Sequence, residues 1–176
     1  MTGGLAGTAR LGSIAVRLDA VDHLILDALQ RDGRITNKSL AERVGLSPSA
    51  CLTRVRRLEK KGAVTGYRAI VDPLAIGASL EGWAEIVLTE NTPTASAQLI
   101  DLLDATPSVL SAYHVAGTCD FLLHFVSPSL RAWADFRLRM DDIGVVSSSR
   151  LLVVLDRPKL DAPITIAWTP RRGRFA

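Results

Sequence analysis

The chain is poor in cysteine, poor in histidine and without long apolar runs. Its two cysteines, Cys51 and Cys119, lie far apart, which speaks against a disulfide framework and against a zinc site. Cys51 reads as a small core residue, with a redox switch as the alternative. Of the three histidines, His23 falls on a wet helix face. His114 and His124 fall on strands, with no serine, aspartate or cysteine arrangement of the kind that builds a triad or a metal set. No catalytic residue, metal ligand or cofactor is assigned, and the chain is not read as an enzyme. No apolar run approaches the length of a membrane-spanning helix. The first residues, MTGGLAGTARLGSIAVR, are too interrupted for a signal peptide. They are expected to form a flexible leader over 1–17, and a cytoplasmic location with no membrane partner is expected. Trp83, Trp133 and Trp168 are read as core or interface residues.

What is present is ordinary globular composition, with 176 residues at 48% hydrophobic and 22% charged. That length holds one large domain or two small ones. The net charge of +3 hides an asymmetry: residues 1–71 carry 12 Lys/Arg against 6 Asp/Glu, and residues 72–176 carry 9 against 12. A basic half joined to an acidic half suggests that one part meets a polyanion and the other does not.

The basic half concentrates its signal in residues 45–62, GLSPSACLTRVRRLEKKG. Ser47 can cap a helix through its hydroxyl, Pro48 suits the first helical position, and Gly62 suits a left-handed exit. Cys51, Val55 and Leu58 share one narrow apolar face. Ser49, Thr53 and Arg56 share another, flanked by Arg54 and Arg57. Upstream, Asp19 to Asp32 reads as helix with Val21, Ile25 and Leu29 in step and Gly33 at its end. Thr36 can cap a second helix with Leu40, Ala41 and Val44 inward, and Gly45-Leu46 make the turn into the basic helix. Two short helices joined by a tight glycine turn form a helix-turn-helix, whose second helix suits the DNA major groove. Ser47, Pro48, Ser49, Thr53, Arg54, Arg56 and Arg57 are therefore candidate contacts with double-stranded DNA. Asn37, Lys38 and Arg68 are further phosphate candidates. Arg54 and Arg57 also have salt bridges open to them, for Arg57 in the neighbourhood of Glu59. Val64 to Val71 reads as a strand leaving this domain, and Asp72-Pro73 marks a break.

The second half changes period. Gly82 to Thr89 reads as strand and Thr94 to Ala105 as helix with Leu99, Leu102 and Leu103 inward. Val109 to Ala116 and Phe121 to Val126 read as strands around the turn Gly117-Thr118-Cys119-Asp120. Ser129 caps a helix carrying Leu130, Trp133 and Phe136, and Arg150 to Leu155 reads as an apolar strand. The order strand–helix–strand–strand–helix–strand is the ferredoxin-like plan. Helices cover one face of such a sheet, and the other face must find a partner unless it is polar. Ile164 to Trp168 is a candidate extra strand. The expected organisation is α+β: a leader over 1–17, a winged-helix-like helix-turn-helix domain over 18–71, a hinge over 72–79, a ferredoxin-like βαββαβ domain over 80–168, and a solvated tail over 169–176.

Residues 18–73 closely resemble the DNA-binding domain of the Lrp/AsnC (leucine-responsive, feast/famine) transcriptional regulators, through LDAVDHLILDALQRDGRIT, LAERVGLSPSACLTRVRRLEKKGAVTGY and the exit to Asp72-Pro73. YHVAGTCDFLL, residues 113–123, with the helix over 129–142 and the strand near 150–155, is similar to that family's effector and assembly domain. The resemblance covers residues 18 to about 168. It implies a homodimer built through the carboxy-terminal sheets, often assembled into tetramers or octamers. It also implies a small amino-acid effector bound near the Gly–x–x–Asp turn. In this chain that turn is Gly117 to Asp120, with Thr118 inside it, and Tyr113, Ser147 and Ser149 are carried over as lining residues. Backbone amides after a glycine turn can receive a carboxylate, and an aspartate can take an ammonium. For Asp120, ligand binding and turn capping both stay open. The function implied is a sequence-specific transcriptional regulator tuned by a small effector. The alternatives are a sirohaem-type decarboxylase on the same plan and a low-specificity nucleoid architectural protein, which the +5 balance of residues 47–68 permits.

Overall fold

A computed structural model describes residues 16–160 and 162–164. They form two compact units, one of residues 16–69 with 162–164 and one of residues 70–160. The first unit holds three helices, α1 (Ala20–Arg31), α2 (Asn37–Val44) and α3 (Pro48–Lys60). Each begins where a short polar side chain can accept a hydrogen bond from an otherwise orphaned amide. Asp19 and Asp22 make a reciprocal capping box on α1, Thr36 accepts from the Ser39 amide on α2, and Ser47 from the Ala50 amide on α3. Gly45 and Gly62 take the left-handed conformation that ends α2 and lets the chain leave α3. Ile25, Ala28, Leu40, Ala41, Cys51 and Leu58 meet in the centre, each large aliphatic among them contributing on the order of 1.5–3 kcal/mol by burial. Val55 packs on this cluster without being fully buried.

The expected strand over Val64 to Val71 is not formed. A strand needs a neighbour for its ladder bonds, and among the described residues none runs beside it. Instead Tyr67 lies over Gly33 and donates its hydroxyl to Glu59 Oε1 at 3.1 Å, while Ile70 and Val71 stay exposed. Of the expected strand Ile164 to Trp168, only Ile164 is described, and it is not in a strand. Its backbone makes two hydrogen bonds with the Gln30 side-chain amide, at 2.7 and 3.3 Å, within the first unit. The leader, apart from Val16 and Arg17, and the tail lie outside the described residues.

The second unit opens with a 3₁₀ turn over Leu74–Ile76 inside the expected hinge. It continues as β1 (Leu80–Leu88), α4 (Pro93–Asp104), β2 (Val109–His114), β3 (Phe121–Ser127), α5 (Leu130–Asp142) and β4 (Val146–Val153). The sheet order is β2-β3-β1-β4, and every neighbouring pair is antiparallel. This is the ferredoxin-like arrangement. β1 and β3 alternate between buried and half-buried residues, the period-two signature of a sheet with one packed face. Ala84, Ile86, Leu123 and Phe125 on that face meet Leu99, Leu103, Trp133, Phe136 and Met140 from α4 and α5. Leu130, in the first turn of α5, is exposed. β4 starts four residues before the expected Arg150 and stops before Leu155, which is almost fully exposed. Gly82 leaves no room for a side chain between β1 and β4: a Cβ there would lie 2.7 Å from Leu151 Cδ1 and 2.8 Å from the Leu152 carbonyl oxygen.

Candidate functional site

The basic helix α3 presents an outer face of Ser49, Thr53 and Arg56, all exposed. Ser47 Oγ lies 3.3 Å from both the Ala50 amide, from which it accepts, and Ser49 Oγ. Thr53 donates its hydroxyl to the Ser49 carbonyl at 3.0 Å, so its proton serves the helix and only its lone pairs and methyl face outward. Pro48 occupies the first turn, and its carbonyl accepts from Asn37 Nδ2 at 2.8 Å. Asn37 was a phosphate candidate. Its amide instead ties α2 to the start of α3, and its Oδ1 is buried without a partner. Lys38 and Arg68 are exposed, and neither they nor Arg56 enter an ion pair among the described residues.

Of the two courses open to Arg54 and Arg57, both take the salt bridge. Their guanidiniums do not project with Arg56 but turn to the amino end of α1. Arg54 Nη1 lies 2.6 Å from Asp19 Oδ2 and 2.9 Å from Asp22 Oδ1. Arg57 Nη2 lies 2.6 Å from both oxygens of Asp22. Helix geometry is the reason: both residues sit on the flank of α3 between its outer face and its packed face, and α1 ends there in two carboxylates. The hydrogen bond from Arg54 holds the Asp19 carboxyl below its ordinary value, and the same contact raises the pKa of Arg54. Glu59, the region expected to engage Arg57, serves Tyr67. Cys51 is buried, and desolvation pushes its thiol pKa up, which disfavours the reactive thiolate.

In the second unit the Gly117–Asp120 turn joins β2 to β3. The Val115 amide donates to the Asp120 carbonyl and the Asp120 amide to the Ile86 carbonyl, each at 2.9 Å. Asp120 Oδ2 accepts from the Leu88 amide at 2.8 Å, and Oδ1 from Asn91 Nδ2 at 3.0 Å. The carboxylate therefore caps the end of β1, which realises the turn-capping role. The amides of Gly117, Thr118 and Cys119 find no acceptor among the described residues. Ser147 Oγ donates toward the Val87 and Leu88 carbonyls at 3.1 and 3.3 Å, at the point where the β1–β4 register shifts. Asp120 and Ser147 thus converge on Leu88, one from each side. Close by in sequence, Thr89, Glu90, Thr92, Gln98 and Val145 line a shallow cleft of about 400 Å³.

Ser149 and Tyr113 do not join that cluster. Ser149 pairs with Ile86 and so lies on the helix-covered face. Tyr113 pairs with Leu122 and lies on the open face, its ring 6.3 Å from that of Trp83. Trp83 in turn stacks on His124 at 4.8 Å. His124 Nε2 is 2.8 Å from Glu81 Oε1, and Glu81 also pairs with Arg157. A carboxylate favours a charged imidazole, but Glu81 is shared with Arg157 and burial prevails, so the His124 pKa lies below its ordinary value. Arg150 donates through Nε to Glu85 at 2.8 Å on the same face. Asp19, Asp22, Asn91 and the Glu81–His124 pair went unread in the sequence. Apart from the Asp19–Asp22 capping box, which is local, they act on partners distant in the chain, and no local spacing reports such pairs.

A helix-turn-helix with a free Ser–Thr–Arg face, followed by a ferredoxin-like unit, is the arrangement that comparison with known proteins meets. A description of winged helix-turn-helix DNA-binding domains matches residues 18–65, and one of the Lrp/AsnC ligand binding domain matches residues 83–164. The leucine-responsive regulatory protein of Rhizobium meliloti (strain 1021) is 42% identical over 123 residues, which are 70% of this chain and 79% of that protein. The chain belongs to the Lrp/AsnC family of transcriptional regulators. The leucine-responsive regulatory protein of Escherichia coli (strain K12), in the same family, is 37% identical over 146 residues, 81% of this chain and 87% of that one. Among solved Lrp/AsnC-like structures, a transcriptional regulator of Neisseria meningitidis in complex with L-Met superposes with a TM-score of 0.78 at 31% identity. It covers 84% of this chain and 96% of its own. The leucine response regulatory protein of Mycobacterium tuberculosis superposes at 0.70 with 34% identity, covering 82% and 97%. As an Lrp/AsnC regulator the protein joins a DNA-binding unit to a ligand-binding unit, and among the described residues no helix is long and apolar enough to cross a membrane.

Proposed function

We propose that this regulator reads duplex DNA through Arg56, Ser49 and Thr53 of α3, with the cap residues Ser47 and Pro48 setting the helix start in the groove and with Lys38 and Arg68 on phosphates. We further propose that it is tuned by a small amino acid held at the Gly117–Asp120 turn. The observation that carries the effector reading is the run of three turn amides without an acceptor among the described residues, beside the Asp120 carboxyl group. A ligand carboxylate fits the amides of Gly117, Thr118 and Cys119. Asp120 has used one lone pair on each oxygen and retains others for an ammonium group. The occupied turn lies at the end of the sheet, and the open sheet face, with Trp83, Tyr113 and Leu152 across it, is the surface on which two copies pair as a homodimer and then assemble further. Ligand that prefers one assembly shifts the oligomer equilibrium and so the spacing of the DNA-reading heads. The protein acts in the cytoplasm on the nucleoid and catalyses no reaction.

The neutralised Arg54 and Arg57 favour this reading over a low-specificity architectural one, because they remove two charges from the DNA-facing balance. The test is a gel-shift titration on DNA upstream of the protein's own gene and on random DNA, with and without the twenty amino acids. Discrete, ligand-sensitive complexes on the upstream DNA are expected, and Arg56→Ala should weaken them at least tenfold at moderate salt. Equal affinity for both DNAs would establish the architectural role instead, and indifference to every amino acid would remove the effector half.

A further inference from the structure

The amino end of α1 and the flank of α3 meet through a cluster of charged side chains. Asp22 is 1% exposed and accepts from Arg57 on both oxygens and from Arg54 on one. Its Oδ2 also accepts from the Asp19 amide at 3.1 Å. Asp19, half exposed, takes the same Arg54 nitrogen at 2.6 Å. Two carboxylates face two guanidiniums, so the cluster is neutral. For Arg57 to reach a phosphate it must leave a buried carboxylate behind with its charge poorly compensated, an arrangement that proteins resist strongly. Arg56, one residue away, carries no such restraint.

We propose that Asp19 and Asp22 are specificity-determining residues that hold Arg54 and Arg57 off the DNA backbone. Sequence-independent affinity comes from counterions released by phosphate contacts, with a slope of about 0.9 in log K against log salt per contact. Withholding an arginine flattens that slope and weakens binding to random DNA. Contacts from Arg56 and the hydroxyls to base edges are untouched, so the ratio of specific to random binding widens. This inference rests on α3 being the DNA-reading helix.

The experiment uses the full chain on a random-sequence duplex and on the upstream duplex, across a salt series. The variants are Asp19→Asn, which keeps a side-chain oxygen for the helix cap, Arg54→Gln, and the two together. Asp19→Asn leaves Arg54 only its longer bond to Asp22 at 2.9 Å, and is expected to steepen the random-DNA slope by up to about 0.9 and to tighten random binding. Arg54→Gln is expected to keep the parent slope, and the double variant to return to it. If Arg54→Gln alone flattens the slope by about 0.9, Arg54 already sits on a phosphate and the proposal is overturned. It is equally overturned if Asp19→Asn leaves the slope alone and weakens both duplexes alike, since the pair then only positions α3. A parent protein that binds neither duplex would instead overturn the reading of α3, and the inference with it.

Discussion

At the scale of single residues, one carboxylate can do two jobs whose failures look alike. Asp120 holds the Leu88 amide and Asn91, and in the proposed function it also receives the effector. Removing the side chain leaves a buried backbone donor unpaired, at a cost of about 1–3 kcal/mol. Asp120→Ala should therefore lower the denaturation midpoint and blunt the effector response, while DNA affinity without effector stays within about twofold. Asn91→Ala removes one of these hydrogen bonds without touching the ligand ammonium partner. It should lower stability less and keep the response. Denaturation curves and gel shifts on the two variants check this, and equal loss of response in both would put Asp120's role down to turn geometry. Asp22 is the contrasting case. Its caps are local and legible, since Asp19 and Asp22 stand three apart at a helix start, but its partners Arg54 and Arg57 are 32 and 35 residues away.

At the scale of elements, the readable parts were those governed by neighbours in sequence. Thr36, Ser47 and Ser129 marked three helix starts correctly. α4 begins at Pro93 after a Thr92 cap, the same hydroxyl-then-proline signal as Ser47-Pro48, and it was legible though read one residue late. What could not be read depended on pairing. Val64–Val71 has strand composition and no strand beside it. β4 has three serines at its start, poor in strand propensity, yet β1 lies alongside and makes them strand. The outer face of α3 was legible from periodicity, while its flank was not, because what a flank meets depends on how a different helix packs. The lack of room at Gly82 between β1 and β4 gives a prediction at this scale. Gly82→Ala places a methyl within 2.8 Å of a backbone oxygen that cannot swing away. It should destabilise the second unit by about 1–3 kcal/mol, seen as a lower melting temperature. Ala63→Gly, at a half-buried exit position of the first unit, should shift melting far less. Comparable shifts would mean that β4 yields easily.

At the scale of the whole molecule, the proposed function makes the open sheet face the surface on which copies pair. Helices cover one side of the sheet. The other side carries a stacked Trp83–His124 pair, Tyr113 and the ion pairs of Glu81 and Glu85. Its mixed character suits a self-complementary surface, apolar at the centre and charged around it. Trp83→Glu puts a charge into that centre. Sedimentation should then find the variant as a monomer with unchanged circular dichroism where the parent is a dimer or larger. A variant that assembles like the parent would move the interface elsewhere.

The anchoring of the Gly117–Asp120 turn has an evolutionary consequence. Asp120 is committed to the main chain before any ligand arrives, so it is not free to vary with ligand taste. Thr118 and Cys119 bear no such duty: among the described residues their side chains make no hydrogen bond. If the turn holds the effector as proposed, a lineage can change which metabolite it senses by drift at these two positions while the scaffold stays intact. Among descendants of this chain, sensory diversity should accumulate at Thr118 and Cys119, with Asp120 standing still between them and β1.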